Sequence, residues 1–346
     1  MTQKGLSEVL KEEIKNPLFK TVSIVLIISA IVIGNAAYEA GNISGGVLGL
    51  STLIPNNTIY FGNYSISYLN LLIGALAFTL LYIGNYKILE RSLIVLVILM
   101  SLSFVLTAII TKPDVLSIFK GAFIPKFPEN SLLTIIGLVG TTVVPYNLFL
   151  HASLVKEKWH KKSDLSLARK DTIIAIIIGG FVSMAIIVSA SNSNLSTINN
   201  AIDIAKGLEP LYGEAAKYFL AIGLFAAGIT SAITAPLAAA YVLKGIFNWN
   251  NGLKSKKFKA VWMLILFLGV LFSSLQIKPI EIIKFAQITN GILLPIISGF
   301  LLWIMNKKSV LGNYSNNFTQ NIFGFIILVL TIFLGVKSIW KVLETF

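Results

Sequence analysis

Gly140-Thr141-Thr142-Val143-Val144-Pro145-Tyr146-Asn147-Leu148-Phe149-Leu150-His151 lies inside an apolar run, roughly Leu132 to Leu154, that is long enough to cross a bilayer. Proline has no N–H, so Pro145 cannot bond back to the carbonyl of Thr141, and its ring strains the preceding turn. The sequence therefore predicts a spanning helix that breaks at this point. In hydrocarbon a freed carbonyl is costly unless protein, water or an ion satisfies it, so broken backbone at membrane depth lines a cavity or is buried in protein. A kinked packing helix is the simpler account of a lone proline. Thr141, Thr142, Tyr146, Asn147 and His151 crowd around this one, and that many polar side chains in a span point to a role.

The rest of the chain supports a membrane setting. Of 346 residues 55% are hydrophobic and only 12% charged, against about 25% charged in an ordinary soluble domain. Mean hydropathy is +0.82. There is no cysteine, which excludes disulfides and thiolate metal sites. The first twenty residues are amphipathic and carry Glu8, Glu12 and Glu13, without the apolar core of a signal peptide. They are read as a cytoplasmic N-terminal segment, residues 1–20, ahead of a single transmembrane bundle, residues 21–346.

Apolar segments recur at approximately 21–50, 67–84, 92–111, 132–154, 172–191, 218–243, 260–276, 285–305 and 322–340, about nine spans. With the N-terminus inside, most of the 28 basic residues fall in inside segments: Lys4, Lys11, Lys15 and Lys20; Lys87 and Arg91; Lys156 to Lys170; Lys244 to Lys259; Lys307 and Lys308. The first outside loop, Ser51 to Ser65, has none. This bias predicts N-in, C-out. Thr111 to Ser131, with Pro113, Pro125 and Pro128, reads as an external loop. The basic stretch from Lys156 to Lys170 reads as a topological determinant facing anionic headgroups, with no role for His160 and no nucleic-acid partner.

In the first span, Asn35, Glu39, Asn42 and Gly46 share one helix face. Ala37, Gly41, Gly45 and Gly49 form a small-residue ladder suited to close helix packing. Glu39 is the one carboxylate well inside a span, a candidate proton carrier or ion ligand; the plainer reading is a Glu hydrogen-bonded to Asn35 or a neighbouring helix. A second polar run, Gly228 to Pro236 with Thr230, Ser231 and Thr234, is thin enough for a central helix, though its hydroxyls can satisfy their own helix carbonyls. Gln287, Thr289 and Asn290, ahead of Pro295, interrupt the eighth span. Several polar breaks in one bundle match the pattern of secondary transporters.

The run from Gly140 to Ser153 resembles the sixth-helix signature of the NRAMP family of divalent metal transporters, G-A-T-V-M-P-H-N-L-Y-L-H-S. Leu224-Phe-Ala-Ala-Gly-Ile-Thr-Ser-Ala-Ile-Thr234 resembles its eighth-helix L-F-A-S-G-Q-S-S-T-x-T, and Ala37 to Leu50 its third-helix A-T-D-L-A-E-x-x-G-x-A-x-x-L. The resemblance implies an all-α, LeuT-like bundle of inverted repeats. The spans here would match family helices three to eleven, so the repeat would be N-terminally incomplete. The family's metal-binding Asp and Asn on its first helix would then lie upstream or on a complementing chain. It also implies that the Thr141 carbonyl and Asn147 contact the cation. Val144 stands where the family has a metal-binding Met, Tyr146 where it has a His, Ile229 where it has Gln, and Asn42 where it has a second acid. Glu39 and His151 match the proton path.

The expected function is carriage of a divalent cation of the Mn, Fe or Mg class through a prokaryotic inner membrane, with proton coupling. No bound cofactor is implied. Asn35, Asn42, Tyr146, Thr230, Gln287 and Asn290 would line the route. An organic-solute carrier of the same fold and a transport-inactive membrane component needing a partner chain are the alternatives. An enzyme is not expected: the chain has no H-E-x-x-H or G-x-S-x-G motif and only two histidines.

Overall fold

A computed structural model describes residues 2–61, 64–83, 87–124, 144–191, 201–249, 255–275 and 279–343, with isolated positions between 126 and 138. Its principal helices are α1 (Leu6–Glu13), α2 (Pro17–Leu50), α3 (Tyr68–Ile83), α4 (Lys87–Ile110), α5 (Val115–Phe123), α6 (Pro145–Lys158), α7 (Leu165–Ser191), α8 (Ala216–Phe247), α9 (Lys256–Ser273), α10 (Pro279–Met305) and α11 (Phe318–Leu343). Each predicted apolar segment overlaps one of these, although most of 132–143 lies outside the described residues. Among the described residues Pro17–Leu50, Leu165–Ser191, Glu209–Phe247 and Phe318–Lys337 are each long and apolar enough to cross a bilayer; Tyr68–Ile83 is shorter. A two-stranded antiparallel hairpin, β1 (Thr58–Phe61) and β2 (Tyr64–Ser67), joins α2 to α3.

The longest apolar helix begins on a clear local signal. Pro17 occupies its first turn, where a missing N–H costs nothing, and the Asn16 side chain accepts from the Phe19 N–H at 3.1 Å. Its first half is one-sided: Ser23, Ile27 and Ile31 are buried while Leu18, Val22, Val25 and Leu26 are exposed. From Gly34 to Gly49 only Asn42, Tyr38, Gly45 and Leu48 are even partly exposed, so this half runs through the centre of the bundle. Its main partner is α8, whose Ala226, Ala232, Ala235, Ala238, Ala239 and Ala240 are fully buried.

The two helices meet backbone to backbone. A β-carbon added at Gly228 would lie 2.7 Å from Cα of Gly46, and one at Gly49 would lie 2.7 Å from the Ala221 carbonyl. Gly49 of the predicted ladder thus does serve close packing, but an equally tight approach runs through Gly46, which spacing assigns to the Glu39 face. Without a hydrophobic force between helices in lipid, such close approach and cross-helix hydrogen bonds hold them together. Asn35 supplies one bond, donating from Nδ2 to the carbonyl of Ala235 at 2.9 Å, next to Pro236 inside α8.

One end of the bundle gathers the predicted inside segments. Lys11 Nζ donates to the Ile246 carbonyl at 2.6 Å, a cation at the negative end of α8. The Ser7 hydroxyl donates to the Val242 carbonyl. Gln3 reaches the carbonyls of Trp159 and His160. Glu8 lies 3.6 Å from Lys156, and Glu13 pairs with Lys307 at 2.8 Å. Lys259 sits over the Tyr82 ring, at the end of α3 that leads to Lys87. Leu6, Val9, Leu10 and Ile14 are buried, so α1 is folded into the bundle through its apolar side. The Thr111 to Ser131 stretch is not simply a loop: α5 occupies its first half, because Asp114 caps a proline-free run of nine residues.

Candidate functional site

A helix begins at Pro145, and the residues just before Val144, where the sequence predicts the other half of a broken span, lie outside the described residues. A proline ring disfavours the helical conformation for the residue before it, and Val144 is extended, with φ −78° and ψ 125°. Pro145 is then the first residue of α6, and the Asn147 N–H closes the first turn on the Val144 carbonyl at 3.0 Å. Thr141 and Thr142 are among the residues outside the described ones. Val144 and Tyr146 are buried, whereas Asn147 is exposed.

Two aromatic rings link the start of α6 to the turn of α2 that carries Glu39. The Tyr146 ring stands edge-on to that of Tyr38, with centroids 5.3 Å apart, and Tyr38 adjoins Glu39 in the chain. Glu39 is fully buried. Its Oε2 accepts from Asn42 Nδ2 at 3.2 Å, and no described group bonds Oε1. On the side of α9 the backbone of Gly269 presses on Glu39, and a methyl there would fall on Cγ. An ionised carboxylate in such a place costs several kcal/mol unless a cation pairs with it (~3–5 for a broken buried pair). Among the described residues no salt bridge involves Glu39 and no three His, Asp or Glu side chains gather into a metal cluster.

The other predicted residues divide. Asn35 is buried and committed to Ala235, so it bonds α8 rather than Glu39. The Thr230 hydroxyl donates to the Ala226 carbonyl and that of Thr234 to the Thr230 carbonyl, each satisfying its own helix. His151 is on the exposed side of α6, with Nε2 3.3 Å from the Thr172 hydroxyl on α7. Gln287 and Asn290 fall within α10, but their side chains lie outside the described residues. Tyr38 and Gly269 are additions. A ring beside Glu39 was a readable signal for the first; nothing local to Gly269 marks it.

The model of the natural resistance-associated macrophage protein-like family matches residues 1–341. The chain belongs to this family. Its NRAMP relatives include a divalent metal cation transporter MntH of Verminephrobacter eiseniae, 25% identical over 329 residues, covering 91% of this chain and 71% of the relative. A metal transporter nramp1 homolog of Dictyostelium discoideum is 26% identical over 270 residues, covering 72% of this chain but half of the relative. Crystal structures of an Eremococcus coleocola manganese transporter match with a TM-score of 0.66 at 15–16% identity. They cover 96% of this chain and 73–74% of theirs. At that identity the likeness shows the fold, which is the LeuT-like NRAMP bundle.

Proposed function

We infer that this NRAMP chain carries a divalent metal cation across a prokaryotic cytoplasmic membrane, with the cation taken at the predicted break before α6. The observation that carries this reading is the juxtaposition of the start of α6 with the turn of α2 that holds a buried, half-satisfied carboxylate, through the Tyr38–Tyr146 contact. The names of the relatives point the same way. The Thr141 carbonyl and the Asn147 amide would supply oxygen donors, and Glu39 would take up or release the coupled proton. Val144 offers no thioether, so choice among ions rests on oxygen donors, and Mg²⁺ becomes a candidate substrate beside Mn²⁺. The N-terminus and the basic end described above would face the cytoplasm.

The test is uptake by the full chain in proteoliposomes, offered Mn²⁺, Mg²⁺ and a mixture of amino acids, with a lumenal pH dye. Saturable cation uptake accompanied by lumenal acidification is expected under an inward proton gradient. Uptake of amino acids without any cation would replace this reading with the organic-solute one. No uptake of anything would leave only a membrane component without transport of its own.

A further inference from the structure

We propose that α5 is an interfacial anchor: it lies in the headgroup–acyl boundary of the leaflet opposite the α1 end, with its apolar side among acyl chains and its lysines on anionic phosphates. The sequence of α5, Val-Leu-Ser-Ile-Phe-Lys-Gly-Ala-Phe, has all its apolar side chains on one side of the helix and Ser117, Lys120 and Gly121 on the other. None of its residues is buried. Val115, Leu116, Phe119 and Phe123 are each more than half exposed, and the Phe119 and Phe123 rings stack on the outer surface. An apolar row of this size, open on a helix outside the spans, needs a cover.

Geometry and charge say what covers it. The chain turns 117° between Ile94–Ile110 of α4 and α5, somewhat past perpendicular, so with α4 along the membrane normal α5 lies near the membrane plane and tilts back toward it. Leu102, Leu106 and Ile109 form an exposed row of α4 that leads up to this turn. The bend is fixed rather than loose. Lys112 takes a left-handed conformation, φ 46°, and Asp114 caps α5 by accepting from the Leu116 N–H and the Ser117 hydroxyl. Those bonds, the Ser117 one first, hold the Asp114 carboxyl below the usual carboxylate range. Lys112, Lys120 and Lys126 are all exposed around the apolar row. A short helix with an apolar face and flanking lysines binds at the membrane surface through buried apolar area plus attraction to anionic lipid. This inference rests on α4 crossing the membrane and is independent of what the bundle transports.

The absence of native cysteine makes the test clean. Nitroxides are placed singly on Leu116→Cys, Ser117→Cys, Phe119→Cys, Gly121→Cys and Phe123→Cys in the full chain, reconstituted with and without anionic phospholipid. Oxygen, which partitions into lipid, and a water-soluble nickel chelate are the relaxation probes. Oxygen access should exceed nickel access at Leu116, Phe119 and Phe123, with the reverse at Ser117 and Gly121. Anionic lipid should deepen the first set, and Lys112→Glu with Lys120→Glu should abolish that deepening. Nickel access at all five positions, or exclusion of both probes from the apolar row, would overturn the proposal; so would depths that ignore lipid charge.

Discussion

Gly228→Ala should destabilise the bundle by about 2–3 kcal/mol, and Gly228→Val by more. The added β-carbon would sit 2.7 Å from Cα and 2.8 Å from N of Gly46. Those are backbone atoms of the buried half of α2, so no side chain can swing away; the two central helices must separate. Separation would loosen the Gly49–Ala221 contact and the Asn35–Ala235 hydrogen bond with it. Gly179→Ala on α7 is the control, because a β-carbon there meets nothing within 4 Å. Alanine is the better helix former by roughly 1 kcal/mol, so the control should be neutral or slightly stabilising. Thermal unfolding of both variants in detergent, followed by tryptophan fluorescence, decides the matter. Equal midpoints for the two would mean that α2 and α8 do not meet through these glycines.

Glu39→Gln should cut proton-driven cation uptake by on the order of tenfold or more, while uptake by cation exchange with no proton gradient is largely kept. The amide is nearly isosteric and can still accept from Asn42, so packing against Gly269 survives. What disappears is the group that can lose a proton. Coupling between two ligands is typically about 1–3 kcal/mol, a factor of roughly 5–150, and removal of the titrating partner removes that factor. Uptake in the variant should also lose its dependence on external pH. If exchange and proton-driven uptake fall together, Glu39 holds the cation or the fold instead of the proton.

The apolar helices were legible because lipid forces long apolar runs, and the start of α6 because a proline without an N–H suits the first turn of a helix. The convergence of the basic segments at one end follows from the same alternation, and Lys11, Lys156, Lys259 and Lys307 all find partners there. α5 was hidden by the prolines around it: Pro113, Pro125 and Pro128 outweigh the Asp114 cap and the apolar spacing between them when read by composition. The contacts that build the site join residues far apart in the chain. Tyr38 meets Tyr146, Gly269 meets Glu39, and Asn35 meets Ala235. No periodicity within a single helix specifies which of its polar groups a distant helix will satisfy. For the same reason Thr230, polar and well placed by sequence, spends its hydroxyl on its own helix.

The most direct test of the account is manganese uptake by Pro145→Ala in proteoliposomes, beside the unaltered chain. Alanine restores an N–H that can bond back to the Thr141 carbonyl, so α6 can lengthen N-terminally through Val144, which is now extended. Uptake is predicted to be lost while helicity and thermal midpoint are kept or raised. Pro145→Ala chains that take up manganese at the rate of the unaltered protein would contradict it.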